Sequence, residues 1–129
     1  MTSESAAPGS KPDATRSAAI DSLHDWRCFE VLQAGRTERT HHIVGSICRV
    51  LDGRDARQGC VTGALTSVDP DTRTIRTEDG TSYRLGRCND IAPEAFYIWR
   101  RWQRATQATQ VIDVSNDINA VLVPSVPTA

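Results

Sequence analysis

Between Val50 and Leu85 the chain alternates short β-prone runs with Gly, Asp or Pro breaks at close intervals. Positions that alternate apolar and polar with a period of two give an extended segment one face for a core and one for water. Short runs of that kind, punctuated by turn residues, predict an antiparallel meander. Cys60–Val68 reads as one strand and Thr72–Glu78 as its partner. They are joined across Asp69-Pro70-Asp71, where the Pro70 ring presets φ for a type I turn. Asp79-Gly80 is a strong two-residue hairpin signal, and Ser82–Leu85 follows with Tyr83 and Leu85 on one side.

Upstream, His42, Val44, Ser46, Cys48 and Val50 alternate with Ile43, Gly45, Ile47, Arg49 and Leu51. Apolar residues on both sides near its middle predict a central strand. Trp26–Gln33 reads as another strand, with Phe29 and Val31 to one side and Trp26, Cys28 and Leu32 to the other. Just before it, Ile20, Leu23 and Trp26 recur every third residue, which predicts a short helical turn capped by Asp21 or Ser22. Ala34-Gly35 and the charged RTERT predict a turn or arm. Asp52-Gly53 predicts the opening of a polar loop, GRDARQG.

After Asn89-Asp90 the period changes. At 100° per residue Ala95, Phe96, Ile98, Trp99, Trp102 and Ala105 fall in one arc, and Tyr97, Arg100, Arg101 and Arg104 in the other. Pro93 suits a first turn, where its missing N–H is not needed, and Glu94 suits the positive end of the helix dipole. An amphipathic helix of about four turns follows. Val111–Val114 reads as a short strand, Ser115–Asn119 as a turn or cap, and Ala120–Val123 as a brief apolar run.

Residues 1–18, rich in Ser, Ala, Pro, Thr and Gly, cannot bury enough surface to offset their ordering entropy and predict a disordered tail. Pro124 and Pro127 end regular structure and leave 124–129 as a second tail. The expected object is a single α+β domain over 19–123. Its five or six mainly antiparallel strands form a small SH3-like barrel or curled sheet, closed by one amphipathic helix whose Trp99 and Trp102 fill the core.

Leu51–Arg76, with Gly59 and Gly63 flanking the start of a strand and a hairpin after it, resembles the loop-strand-hairpin core of SH3-like barrels. It is similar in particular to the KOW-type pattern, in which a Gly-containing loop enters a strand that begins with valine and a second glycine. Gly53, Gly59, Val61 and Gly63 carry the match. The lysines and the arginine usual near that loop are replaced by Arg54, Arg57 and Gln58. The resemblance implies a small barrel able to hold nucleic acid or protein.

Net charge is −1 over 129 residues, so no global field draws the protein onto nucleic acid. The distribution is uneven: 13 arginines against 10 acids leave +3 between Arg27 and Arg104, with acidic ends on either side. Lys11 is the only lysine. Arginine's planar fork makes bidentate contacts to carboxylates and phosphates that lysine does not. No apolar run approaches the ~20 residues that span a bilayer, and the N-terminus lacks a basic region followed by an apolar one. These features predict a cytoplasmic protein with reduced thiols, Cys28, Cys48, Cys60 and Cys88 being small and mostly buried hydrophobes.

The wide cysteine spacing contains no C-x-x-C, although His24 and Cys28 at i, i+4 with His41-His42 are the residues a zinc site would draw on. His41 and His42 next to Arg39 raise a His-assisted nuclease, against which stands one buried and one exposed imidazole. There is no P-loop and no G-x-G-x-x-G, and no cofactor is expected.

What remains is surface. Tyr97, Arg100, Arg101 and Arg104 form a compact basic strip with one aromatic, of the composition enriched in binding hot spots. Arg54 and Arg57 are expected to support it. The expected function is a non-catalytic binding module, an adaptor, regulator or inhibitor that occupies a partner protein's surface. Small proteins of that make-up are common among mobile-element accessory and anti-defence proteins. The alternative is a nucleic-acid-binding small barrel, with Arg54, Arg57 and the arm Arg36–Thr40 extending the strip as a phosphate track.

Overall fold

The computed structural model describes residues 20–123, so the two expected tails lie outside the described residues. Six strands come first: β1 Asp21–Gln33, β2 Thr40–Leu51, β3 Arg54–Val61, β4 Leu65–Asp69, β5 Thr74–Thr77 and β6 Ser82–Leu85. Helix α1 Pro93–Ala105, strand β7 Ala108–Asp113 and helix α2 Ser115–Val121 follow. The protein is α+β, a mostly antiparallel sheet with two helices where the sequence predicts one. The hydrogen-bonded order is β3-β2-β1-β6-β5-β4, with β7 also on β1. β3 and β4 are the ends of this path, and among the described residues the ladder does not close.

β1 organises the sheet. β2 pairs antiparallel along one edge. Along the other, Asp21–Leu23 pair parallel with Tyr83–Leu85, and Phe29–Gln33 pair antiparallel with Asp113–Ala108. The helical turn expected near Leu23 is therefore strand. Its register passes from His24↔Ser46 to Arg27↔Val44, three residues on β1 against two on β2. The extra residue sits at a bulge where Asp25 takes φ 50°. A bulge returns Leu23 and Trp26 to one face, so a three-residue spacing there imitates a helix.

The polar loop expected after Asp52 is also strand. Asp52 and Gly53, at φ 53° and 73°, make a two-residue turn by themselves, and Arg54 already pairs with Leu51. Positive φ at both positions gives the turn whose twist matches its flanking strands, which Asp-Gly accommodates well. The expected single strand Cys60–Val68 is divided at residues 62–64. There buried Thr62 accepts the Ile43 N–H on its hydroxyl at 2.9 Å and donates the hydroxyl to the Gly63 carbonyl. β6 coincides with the expected strand, and Tyr83 and Leu85 both face the core.

Two apolar clusters lie on opposite faces of β1 and β2. Leu23, Trp26, Cys28, Ile43 and Ile47 join Ile75 and Leu85 in the larger. Val31 and Val44 meet Ala95 and Trp99 of α1 in the smaller. The fully buried tryptophan of the larger cluster is Trp26, whose indole N–H donates to the Gly86 carbonyl at 3.0 Å. The expected pair is thus corrected: Trp99 fills the smaller cluster, while Trp102 is half-buried. Phe29, Trp99 and Trp102 stack in sequence, with centroids 4.7 and 5.4 Å apart, and His42 tilts against Trp102 at 4.6 Å. Contacts of this kind add about 0.5–1.5 kcal/mol each beyond buried area.

At the end of β7, the Ser115 hydroxyl accepts the Cys28 N–H at 2.8 Å and donates to the Asp113 carboxylate, fixing α2 to β1. Leu122 joins the larger cluster while Val121 and Val123 stay exposed. All four cysteines are free. Cys28 is buried and Cys60 and Cys88 are half-buried, but Cys48 is exposed because β2 runs beyond the cover of α1 there.

Candidate functional site

Helix α1 presents the site. It starts at Pro93, later than Asn89-Asp90 suggests, with Ala92 as its N-cap and no side-chain cap bond. Glu94 instead anchors the first turn to the sheet. Its carboxylate accepts the Ser46 hydroxyl at 2.7 Å and lies 3.8 Å from Arg57, which also pairs with Asp25 at 2.9 Å. The Ser46 hydrogen bond holds the Glu94 carboxyl below its ordinary range, and Arg57 does the same for Asp25. Gly59 of β3 lets the helix backbone settle directly on the strand, since a Cβ there would stand 2.7 Å from the Ala95 Cα.

On its outer side α1 carries Phe96, 48 % exposed, and Tyr97, 60 % exposed. The Arg100 guanidinium lies 5.8 Å from the Phe96 ring centre and that of Arg101 5.7 Å from Tyr97. Phe96 therefore belongs to the exposed strip and not to the core arc in which its wheel position puts it; Ala105 is exposed as well. Among the described residues Arg100, Arg101 and Arg104 form no ion pair. Arg27, Arg39, Arg49 and Arg57 all do, with Asp113, Glu30, Asp21 and Asp25.

The structure brings Tyr97, Arg100, Arg101 and Arg104 together on one helix but separates Arg54 from Arg57. Arg57 faces Cys48 and Arg54 faces Leu51 in the β2/β3 register. Strand alternation puts Arg57 on the α1 side, its charge committed to Asp25 and Glu94, and Arg54 on the other. In the arm, Arg39 is 3.7 Å from Glu30 and donates to Gln110. These cations do not extend the helix strip as one track.

His42 is buried and His41 half-buried, the two pointing to opposite faces of β2. His42 Nδ1–H donates to the Thr62 carbonyl at 2.9 Å, and Nε2 accepts the Thr40 hydroxyl at 2.7 Å, an arrangement that suits a neutral ring. Burial lowers its pKa, opposed by the bond to Thr62. His41 lies 3.3 Å from Glu30. His24 and Cys28 stand on a strand, and among the described residues no three His, Cys, Asp or Glu side chains converge as metal ligands.

A shallow groove of about 480 Å³ runs beside the strip, lined by Gln58, Gly59, Glu94, Tyr97 and Ile98. Sequence reasoning missed it, although a glycine inside a strand often marks close backbone approach. Among the described residues no helix is long and apolar enough to cross a membrane. No protein-family model, no curated protein and no solved structure matches the chain.

Proposed function

We propose that this protein is a non-catalytic binding module that occupies the surface of a protein partner through the outer face of α1. The observation that carries this is the set Tyr97, Arg100, Arg101 and Arg104, joined by Phe96: exposed aromatics beneath guanidinium groups that have no acidic partner among the described residues. Stacking pre-orders the arginine side chains, which reduces the entropy lost on binding an acidic, partly apolar surface. Arg57, held by Asp25 and Glu94, positions the first turn of the helix, and Arg54 stands apart from the strip.

β3 and β4 are consecutive in the chain across residues 62–64, which supports a bent-strand, SH3-like barrel as the scaffold. Four free thiols fit a reducing, cytoplasmic compartment. The dispersal of Arg54, Arg57 and Arg39 favours a protein partner over a nucleic-acid backbone, which needs a continuous track of phosphate contacts.

The test is capture from native host lysate by the wild type and by a variant carrying Arg100→Glu, Arg101→Glu and Arg104→Glu, with circular dichroism confirming that both fold. A regulator or inhibitor of this kind retains a protein partner that the triple variant loses. Equal capture by both chains refutes the proposal. Binding of RNA or DNA that weakens steeply with salt transfers the role to the nucleic-acid reading.

A further inference from the structure

The groove beside α1 lies at an open strand edge. Gln58 and Gly59 are neighbours in β3 and point to opposite faces of the sheet, while Glu94, Tyr97 and Ile98 come from the helix above one face. Space that touches all five residues, with β2 along the inner side of β3, sits at the outer edge of the strand. Among the described residues the outward backbone groups there have no partner. Thr62 N–H donates to Ile43 O, so the alternate residues Thr62, Cys60, Gln58, Ala56 and Arg54 turn their backbone groups toward β2. Arg57, Gly59 and Val61 turn theirs outward, and among the described residues no strand pairs with that edge.

We infer that this edge takes up an extended, acidic-apolar peptide segment of the partner protein as an added antiparallel strand along the outer edge of β3, beside α1. Its occupancy rests on the outer face of α1 being the binding surface proposed above. Main-chain bonds to Arg57, Gly59 and Val61 supply register, as in strand addition generally. The helix supplies side-chain choice. Its N-terminal turn lies over Gly59, and Trp102 packs on His42, whose ring bonds the Thr62 carbonyl just past Val61, so α1 runs in the direction of β3. Tyr97 and Ile98 border the groove, and Arg101, stacked on Tyr97, stands about one turn or 5.4 Å further on. That distance is close to two residues of strand, about 6.8 Å. An antiparallel guest therefore meets Arg101 with an acidic residue and the groove with an apolar residue two positions later.

The experiment uses the full chain and an array of synthetic peptides of about eight residues, enough to span β3, with a Glu-x-Leu core and randomised flanks. Peptides that bind are expected to slow amide hydrogen exchange at Gly59 and Val61. N-methylation of the peptide nitrogen that pairs with β3 is expected to weaken binding about tenfold, the value of one lost hydrogen bond, and N-methylation one residue along to leave it intact. Arg101→Glu is expected to weaken the same peptides by about tenfold or more. An array without binders, or binders that leave Gly59 and Val61 exchange unchanged, overturns the inference. The binding surface on α1 stands or falls separately, by capture with the Arg100, Arg101 and Arg104 triple variant.

Discussion

Gly59 and Ala95 are pressed together: the space a Cβ would take on Gly59 lies 2.7 Å from the Cα of Ala95 and closer still to the Glu94 carbonyl. Backbone, unlike a flexible side chain, has little room to yield. Gly59→Val is expected to lift α1 from the sheet and destabilise the protein by about 3 kcal/mol. Gly63→Ala meets nothing nearer than 3.7 Å and is expected to be neutral or slightly stabilising. Urea denaturation of both variants measures the difference, and equal midpoints would separate α1 from β3.

Trp26→Ala is expected to cost about 3–5 kcal/mol, because it empties the larger cluster and leaves the Gly86 carbonyl without its indole donor. Trp102→Ala, at a half-buried position, is expected to cost about half as much. Thermal unfolding ranks the two, and the reverse order contradicts the assignment of the core.

His42 links stability to pH. Burial lowers its pKa below the 6.5 of the free side chain, so the unfolded chain binds the proton more readily than the folded one. Its contribution is complete above about pH 6.5 and is lost as pH falls through the lower folded value. Urea midpoints should therefore drop from pH 7.5 to about pH 5, above the range where the depressed carboxyls of Asp25 and Glu94 titrate. His42→Gln should flatten that drop; an unchanged drop in the variant assigns it elsewhere.

The four thiols differ in access. Cys48 is exposed, and Cys28 is buried with its pKa pushed up to about 12 by loss of solvation. Brief iodoacetamide treatment of the native protein should label Cys48 first and Cys28 last, as read by peptide mass spectrometry. Early labelling at Cys28 would mean that β1 opens readily.

Gln107 follows α1 at φ 53°, a conformation that glycine adopts without strain. Gln107→Gly is expected to stabilise the protein by about 0.5–1 kcal/mol, since the Ala34 N–H bonds the Gln107 carbonyl and not its side chain. A melting temperature below wild type would show that the side chain has a role of its own.

Most strands were legible because their two faces differ. The alternation of Ile43 and Ile47 with Val44 and Ser46 records two different faces, whereas Asp79-Gly80 lies within a longer connection over residues 78–81 between β5 and β6, with positive φ at Gly80 and not at Asp79. Legibility failed where geometry departs from a period of two or where cover is thin. The bulge at Asp25 made strand residues Leu23 and Trp26 look helical. β3 is an edge strand whose residues bury little, so RDARQG read as loop. Val121 and Leu122 are neighbours in one apolar run, yet α2 ends at exposed Val121 and the extended backbone at Leu122 turns that side chain into the larger cluster. The strip on α1 follows from the wheel, and Phe96, at the margin of the arc centred on Ala95, Trp99 and Trp102, joins it at the surface. The groove needs β3 and α1 adjacent, a long-range relation that local pattern does not encode.

β1 borders β2 early in the chain, but half of its other side waits for Ala108–Asp113. During synthesis the segment from Phe29 to Gln33 must stay unpaired on that side until Ala108–Asp113 has emerged. Pairings of such long sequence separation are slow to form and leave half-built sheets open to association. A truncation that removes β7 thus threatens more than a terminal strand: it strands a nascent sheet with an apolar flank and no later segment to cover it.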